Sequence, residues 1–85
     1  TRSHDRTNDE SAAKRVIEKV AEEMFPYGCK IHWFIGLQRA EEIEFGVYHF
    51  VVDATITNMF NAKMDETLDI IIDMNNQEFI SFDVY

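Results

Sequence analysis

The apolar residues of this chain keep two different periods. Between positions 9 and 25, Ala13, Val16, Ile17, Val20, Met24 and Phe25 recur at i, i+3, i+4, i+7 spacing, while Arg15, Glu18, Lys19, Glu22 and Glu23 fill the opposite side. That is the stripe of a helix with one buried face. Thr7 and Glu10 have capping-box spacing, with Asn8 and Asp9 as other N-cap candidates. Pro26 cannot continue a helix and biases Phe25 away from helical geometry, so the helix ends there and Tyr27-Gly28 turns the chain. Residues 1–8, polar and without periodicity, read as a flexible tail, leaving 9–85 as a single α+β domain.

From Cys29 the period falls to two, the mark of a strand with one buried face. Cys29, Ile31, Trp33, Ile35 and Leu37 share one side of a first strand over 29–37; Lys30, His32, Phe34 and Gly36 take the other. "QRAEE" reads as a polar connection to a second strand over 43–58. That second strand changes phase. Ile43, Phe45 and Val47 are odd, whereas Tyr48, Phe50, Val52, Ala54 and Ile56 are even, and a straight strand would turn half of them into water. One extra residue near Gly46 and Val47 corrects the parity, so a β-bulge is predicted there, with Phe34 covering the bare backbone of Gly46. The stretch 59–66 is expected to fold over an edge of the core through Met59, Phe60 and Met64.

Strands over 67–74 and 78–85 follow. A three-residue loop at Asn75, Asn76 and Gln77 sets Ile72, Ile70 and Leu68 opposite Ile80, Phe82 and Val84, an apolar face that a two-residue loop would scramble. The expected architecture is one N-terminal helix on a four-stranded antiparallel β-meander of order 1-2-3-4. That layout is similar to cystatin-like folds, a likeness of outline that implies no activity.

Composition narrows the classes. At 85 residues with 46% hydrophobic content, seven Phe, three Tyr and one Trp, the chain has material for one core. A single cysteine, Cys29, leaves no intrachain disulfide to form and points to a reducing, cytoplasmic setting. Without a signal-like start or an apolar run near about 18 residues, neither secretion nor a membrane span is expected. Eight Lys and Arg against 16 Asp and Glu give a net charge of -8, which repels phosphate backbones and argues against direct nucleic-acid binding.

Candidate chemistry is sparse. The glycines Gly28, Gly36 and Gly46 are isolated and make no phosphate loop, Ser81 lacks a basic neighbour, and Cys29 lies on the apolar face. His32 and His49 fall opposite each other on the outer face, about 5 Å apart at Cβ, but Asp53 lies about 13 Å along the strand from His49. Two ligands are fewer than zinc requires, so the pair is a weak metal candidate, and no metal or cofactor is expected.

The outer sheet face carries the stronger signal. Asp53, Asp69, Asp73 and Asp83 interleave there with Phe34, Val51, Ile71, Phe79 and Tyr85, and no second helix covers them. Asp69 and Asp83 meet as a like-charge pair. The reading is a small acidic, non-catalytic protein-binding module of inhibitor, immunity or adaptor type. Its partner would be a basic protein, including one that itself binds nucleic acid, or a second copy forming a homodimer. The alternative is a small-ligand binder or minimal enzyme with a pocket between helix and sheet, lined by Met24, Trp33, Tyr48 and Phe50.

Overall fold

A computed structural model of the chain describes residues 2–85, with side chains described from residue 10 onward. Helix α1 spans Arg2–Met24. It therefore starts upstream of the expected caps: backbone expected as tail at 2–8 is helical, and Thr1 lies outside the described residues. Its sealed stripe is Ala13, Ile17 and Ala21, one residue per turn and all fully buried. Small side chains at two of the three positions let the helix lie close on the sheet. Phe25 still donates to the Ala21 carbonyl at 2.9 Å, after which Pro26 ends the helix.

The sheet is antiparallel throughout and has five strands: β1 (Cys29–Ile31), β2 (Leu37–Glu44), β3 (Val47–Thr57), β4 (Lys63–Asp73) and β5 (Glu78–Val84). The α+β architecture agrees with the sequence reading. The four-strand meander does not, because β1 and β2 both pair with β3, in the order β1-β3-β4-β5 with β2 off that path. Cys29 to Ile31 meet Ile56 to Ala54, and Leu37 to Glu44 meet Val52 to Val47, while β4 fills the other edge of β3. The predicted first strand thus stops at Ile31: residues 32–36 turn out of the edge, and Leu37 opens β2, which returns to the same edge of β3.

The predicted bulge in the second strand is a chain reversal. Glu44 pairs with Val47 across Phe45 and Gly46, and Gly46 sits at φ 77°, in the left-handed region. β2 also carries a register shift just before the reversal, one extra residue at Ile43 between the Glu42–Tyr48 and Glu44–Val47 pairs, and Ile43 and Phe45 are exposed, so the odd-numbered apolar residues ahead of Val47 do not belong to the buried row that Tyr48 opens. Phe34 accordingly does not cover Gly46; the Asn75 side chain does, donating to the Phe45 carbonyl at 2.8 Å. "QRAEE" is strand rather than loop.

Between β3 and β4, Asn58 holds a tight loop, its Oδ1 accepting from the backbone N–H groups of Phe60 (2.9 Å) and Ala62 (3.0 Å). The β4–β5 register is as expected from Leu68–Val84 to Ile71–Ser81, but Ile72 then meets Phe79. One extra residue, Ile80, bulges out of β5 and turns Phe79 inward onto the core, ring to ring with Phe82 at 5.5 Å. All of the core lies between helix and sheet: Tyr48, Phe50, Val52 and Ala54 from β3, and Leu68, Ile70 and Ile72 from β4. No helix among the described residues is long and apolar enough to cross a membrane.

Candidate functional site

The outer face follows from strand alternation. With even positions of β3 and β4 turned to the helix, odd ones face away: His49, Val51, Asp53 and Thr55 on β3, and Asp65, Thr67, Asp69 and Ile71 on β4. These residues knit into three cross-strand groups. His49 Nε2 donates to Asp69 Oδ1 at 2.8 Å. Gln38 Nε2 at 2.6 Å and Thr67 Oγ1 at 3.2 Å both donate to Asp53 Oδ1. The Thr55 hydroxyl donates to Asp65 Oδ1 at 2.8 Å, so its oxygen accepts from His32 Nε2, also at 2.8 Å.

Of the nine expected contact residues, Val51, Asp53, Asp69, Ile71 and Asp83 share this face, with Asp69 and Asp83 directly opposed as expected. Tyr85 flanks Thr67, and its hydroxyl lies 3.5 Å from Asp69 Oδ2. That carboxylate, then burial and Asp83, push the phenol above its ordinary pKa. Asp73 holds the β4–β5 turn instead, accepting from the Asn75 backbone N–H (2.9 Å) and the Asn76 side chain (3.0 Å). Phe79 leaves the set because it faces the core. Phe34 leaves the sheet plane altogether.

His32 and His49 are not brought together. His32 sits beside Asp53 and Thr55, and His49 sits between Asp69 and Glu41 Oε1, the latter 3.9 Å away. Among the described residues no group of three or more His, Cys, Asp or Glu is arranged to hold a metal ion. Cys29 is half-buried, and burial, with Glu18 adding to it, pushes its thiol up, which keeps it a neutral and slow nucleophile. Tyr48 and Phe50 are fully buried and stack at 6.1 Å, with Trp33 edge-on to Phe50 at 5.6 Å, so these side chains fill the core.

Alternation alone misses one feature. Between β1 and β2 the edge row breaks out into a tight turn. His32 donates its backbone N–H to Asp53 O (2.9 Å), Gly36 to His32 O (2.8 Å), and Asp53 to Gly36 O (2.9 Å). A Cβ on Gly36 would stand 2.9 Å from the Cβ atoms of Asp53 and His32, so only glycine closes this turn without displacement. Trp33 folds down to the helix and donates to Glu18 at 2.8 Å. Phe34 and Ile35, at the tip, are 97% and 86% exposed. Beside Ile35 an open niche of about 400 Å³ is lined by Ile35, His32, Asp53, Asp65, Glu66 and Thr67 among others. Gly36 was the sequence signal for this turn; Ile35 was expected inside, and Asp65 and Glu66 were assigned no role.

No known protein-family model matches the chain, and no curated protein or solved structure matches it.

Proposed function

We propose that the chain is a small, acidic, non-catalytic protein-binding module of the inhibitor, immunity or adaptor kind. It engages a basic partner with the outer face of its sheet. The observation that carries this reading is the Phe34-Ile35 tip. Three backbone hydrogen bonds and an obligatory glycine hold two large apolar side chains almost wholly in water, and Ile35 lines the same niche as Asp53, Asp65 and Glu66. Holding apolar surface in water is unfavourable, and an ordered display of it is typical of contact sites. The chemistry fits an apolar hollow next to a Lys or Arg side chain: Phe34 and Ile35 fill the hollow, and the cation enters the niche between Asp53, Asp65 and Glu66.

The outer face extends that contact with Asp69, Asp83, Val51 and Ile71. A net charge of -8 adds long-range attraction for a basic surface, which acts mainly on the association rate. The test is affinity capture on the immobilised chain, run in parallel for wild type, Phe34→Ser/Ile35→Ser and Asp69→Lys/Asp83→Lys. A basic protein kept by the wild type and lost from both variants supports the reading. Identical captures by all three chains would remove it.

A further inference from the structure

Of the three Lys and Arg residues in the strands, Lys30, Arg39 and Lys63, two stand together. Lys30 of β1 pairs with Thr55, and Lys63, the first residue of β4, pairs with Thr57. The 59–66 stretch therefore does not fold over the core as its composition suggested: it leaves Met59 and Phe60 in water and opens β4 at Lys63. Odd positions of β3 face away from the helix, so both lysines stand on the outer face, one on each side of the Thr55–Thr57 row. They are two strands and two residues apart, roughly 12 Å between Cα atoms, which lets two extended lysine side chains reach one ligand. Between them lies an open niche of about 400 Å³, lined by Lys30, Lys63, His32, Thr55, Thr57 and Gly28 among others. No carboxylate among the described residues lines it.

Three donors at this niche are uncommitted. Lys14 pairs with Glu10 at 3.6 Å and Arg39 with Glu41 at 2.9 Å, but among the described residues neither Lys30 nor Lys63 makes an ion pair. That stands out in a chain with 16 Asp and Glu for 8 Lys and Arg. Glu18 and Glu22 share a different hollow with Lys30, beside the helix, without closing an ion pair to it. The Thr57 hydroxyl is the third donor, without a hydrogen-bond partner among the described residues. A Cβ on Gly28 would stand 3.5 Å from Thr57 Oγ1, so the glycine leaves that hydroxyl uncovered. Thr55 is already committed, donating to Asp65 and accepting from His32. Two ammoniums facing one hollow repel each other until an anion lies between them. A tetrahedral phosphate group has enough oxygens to take both ammoniums and the hydroxyl at once. A nucleic-acid backbone does not fit, because Asp53, Asp65 and Glu66 in the neighbouring niche and a net charge of -8 repel every further phosphate.

We propose that the niche between Lys30 and Lys63 binds a single phosphate group, free or as the phosphomonoester of a small molecule, held by both ammoniums and the Thr57 hydroxyl. The site goes beyond the protein contact proposed above and shares only His32 with the acidic niche. The test is backbone-amide NMR of the whole chain, titrated with inorganic phosphate and separately with glycerol phosphate, at an ionic strength held constant with chloride. Saturable shifts are expected at Gly28, Lys30, Thr57 and Lys63, with Asp69 and Asp83 unmoved. Lys30→Met and Lys63→Met should each weaken binding about threefold to fivefold, the effect of an exposed charge pair. The double variant should lose about tenfold or more, because the two side chains act from separate strands. Thr57→Val weakens binding as well, whereas Lys30→Arg/Lys63→Arg keeps it, which separates lost charge from lost packing. Lys19→Met, on the helix, changes nothing. Phe34→Ser/Ile35→Ser also leaves binding intact, so this site and the protein contact stand or fall separately. Tighter binding of the ester assigns the rest of the niche to its organic part, and equal binding assigns the site to free phosphate; either supports the proposal. Shifts that never saturate, shifts that chloride alone reproduces, or an unchanged affinity in the Lys30→Met/Lys63→Met variant overturns it.

Discussion

The two faces of β3 and β4 are built from alternate residues of the same strands, and they are held by different forces. On the inner face Tyr48, Phe50, Val52, Ala54, Leu68, Ile70 and Ile72 are almost completely removed from water and closed over by Ala13, Ile17 and Ala21. Shape and volume decide everything there. On the outer face His49, Val51, Asp53, Thr55, Thr67, Asp69 and Ile71 are only half-buried, and the polar ones are tied to one another across the strands. Those bonds leave the carboxylates partly committed within the sheet. The groups least committed to the fold are at its margins: Phe34 and Ile35 over the edge row, and Met59 and Phe60 at the hairpin tip. The large apolar side chains left in water therefore sit where the sheet ends, and the middle of the outer face carries charge.

The contrast is broken most sharply by truncating neighbours that point opposite ways. Phe50→Ala removes a fully buried ring from between Trp33 and Tyr48 and should cost about 3–5 kcal/mol. Val51→Ala, one residue on and facing out, should cost under about 1 kcal/mol. Urea denaturation of both variants checks this; similar losses would mean that the outer face is as tightly packed as the core. Next in size is the turn that decides which residues reach which face. Gly46→Ala forces a side chain into φ 77° and places a Cβ 2.5–2.7 Å from the Asn75 side chain, breaking its hydrogen bond to Phe45. A loss of about 1–2 kcal/mol is expected. A loss under about 0.3 kcal/mol would place the reversal elsewhere.

Gly46 also shows how far the sequence could be read. The inner face was legible because the helix seals it: period-two burial in β3 and β4, and the Leu68–Val84 end of the last hairpin, follow from hydrophobic alternation alone. What alternation cannot do is distinguish two events that both flip parity. Both occur here, the chain reversing at Phe45-Gly46 and β2 shifting register at Ile43, and the polar "QRAEE", read as a loop, hid the reversal. As an edge strand, β2 has few buried positions, so it carries no alternation to detect. The same limit moved Phe79 to the wrong face, because Ile80 bulges without any local marker. Ile35 failed for another reason. The turn from His32 to Gly36 is a tertiary device, visible only once Asp53 is seen to hydrogen-bond both of its ends. Of the outer site, the acidic strands were readable and the apolar tip was half-readable, through Phe34 but not Ile35.

The smallest expected effect tests how much charge the outer face holds in tension. Asp69 and Asp83 oppose each other across β4 and β5, and Asp69 already serves His49 and approaches Tyr85. Asp83→Asn relieves the like-charge contact and should stabilise the fold by about 0.5 kcal/mol, a gain that shrinks as salt screens the pair. The Tyr85 hydroxyl reports the same field. Its pKa is raised chiefly by Asp69 and less by Asp83, so the folded chain favours the neutral phenol. That preference is fully in force below the ordinary tyrosine value of about 10 and is lost as pH rises through the shifted one. Stability should therefore decline at alkaline pH. Asp69→Asn should return the Tyr85 titration toward its ordinary value further than Asp83→Asn does, measured by phenolate absorbance against a Tyr85→Phe reference. Equal displacements in the two variants would mean that Tyr85 does not lie over Asp69, and that the acidic face ends at β4 without a tyrosine closing its edge.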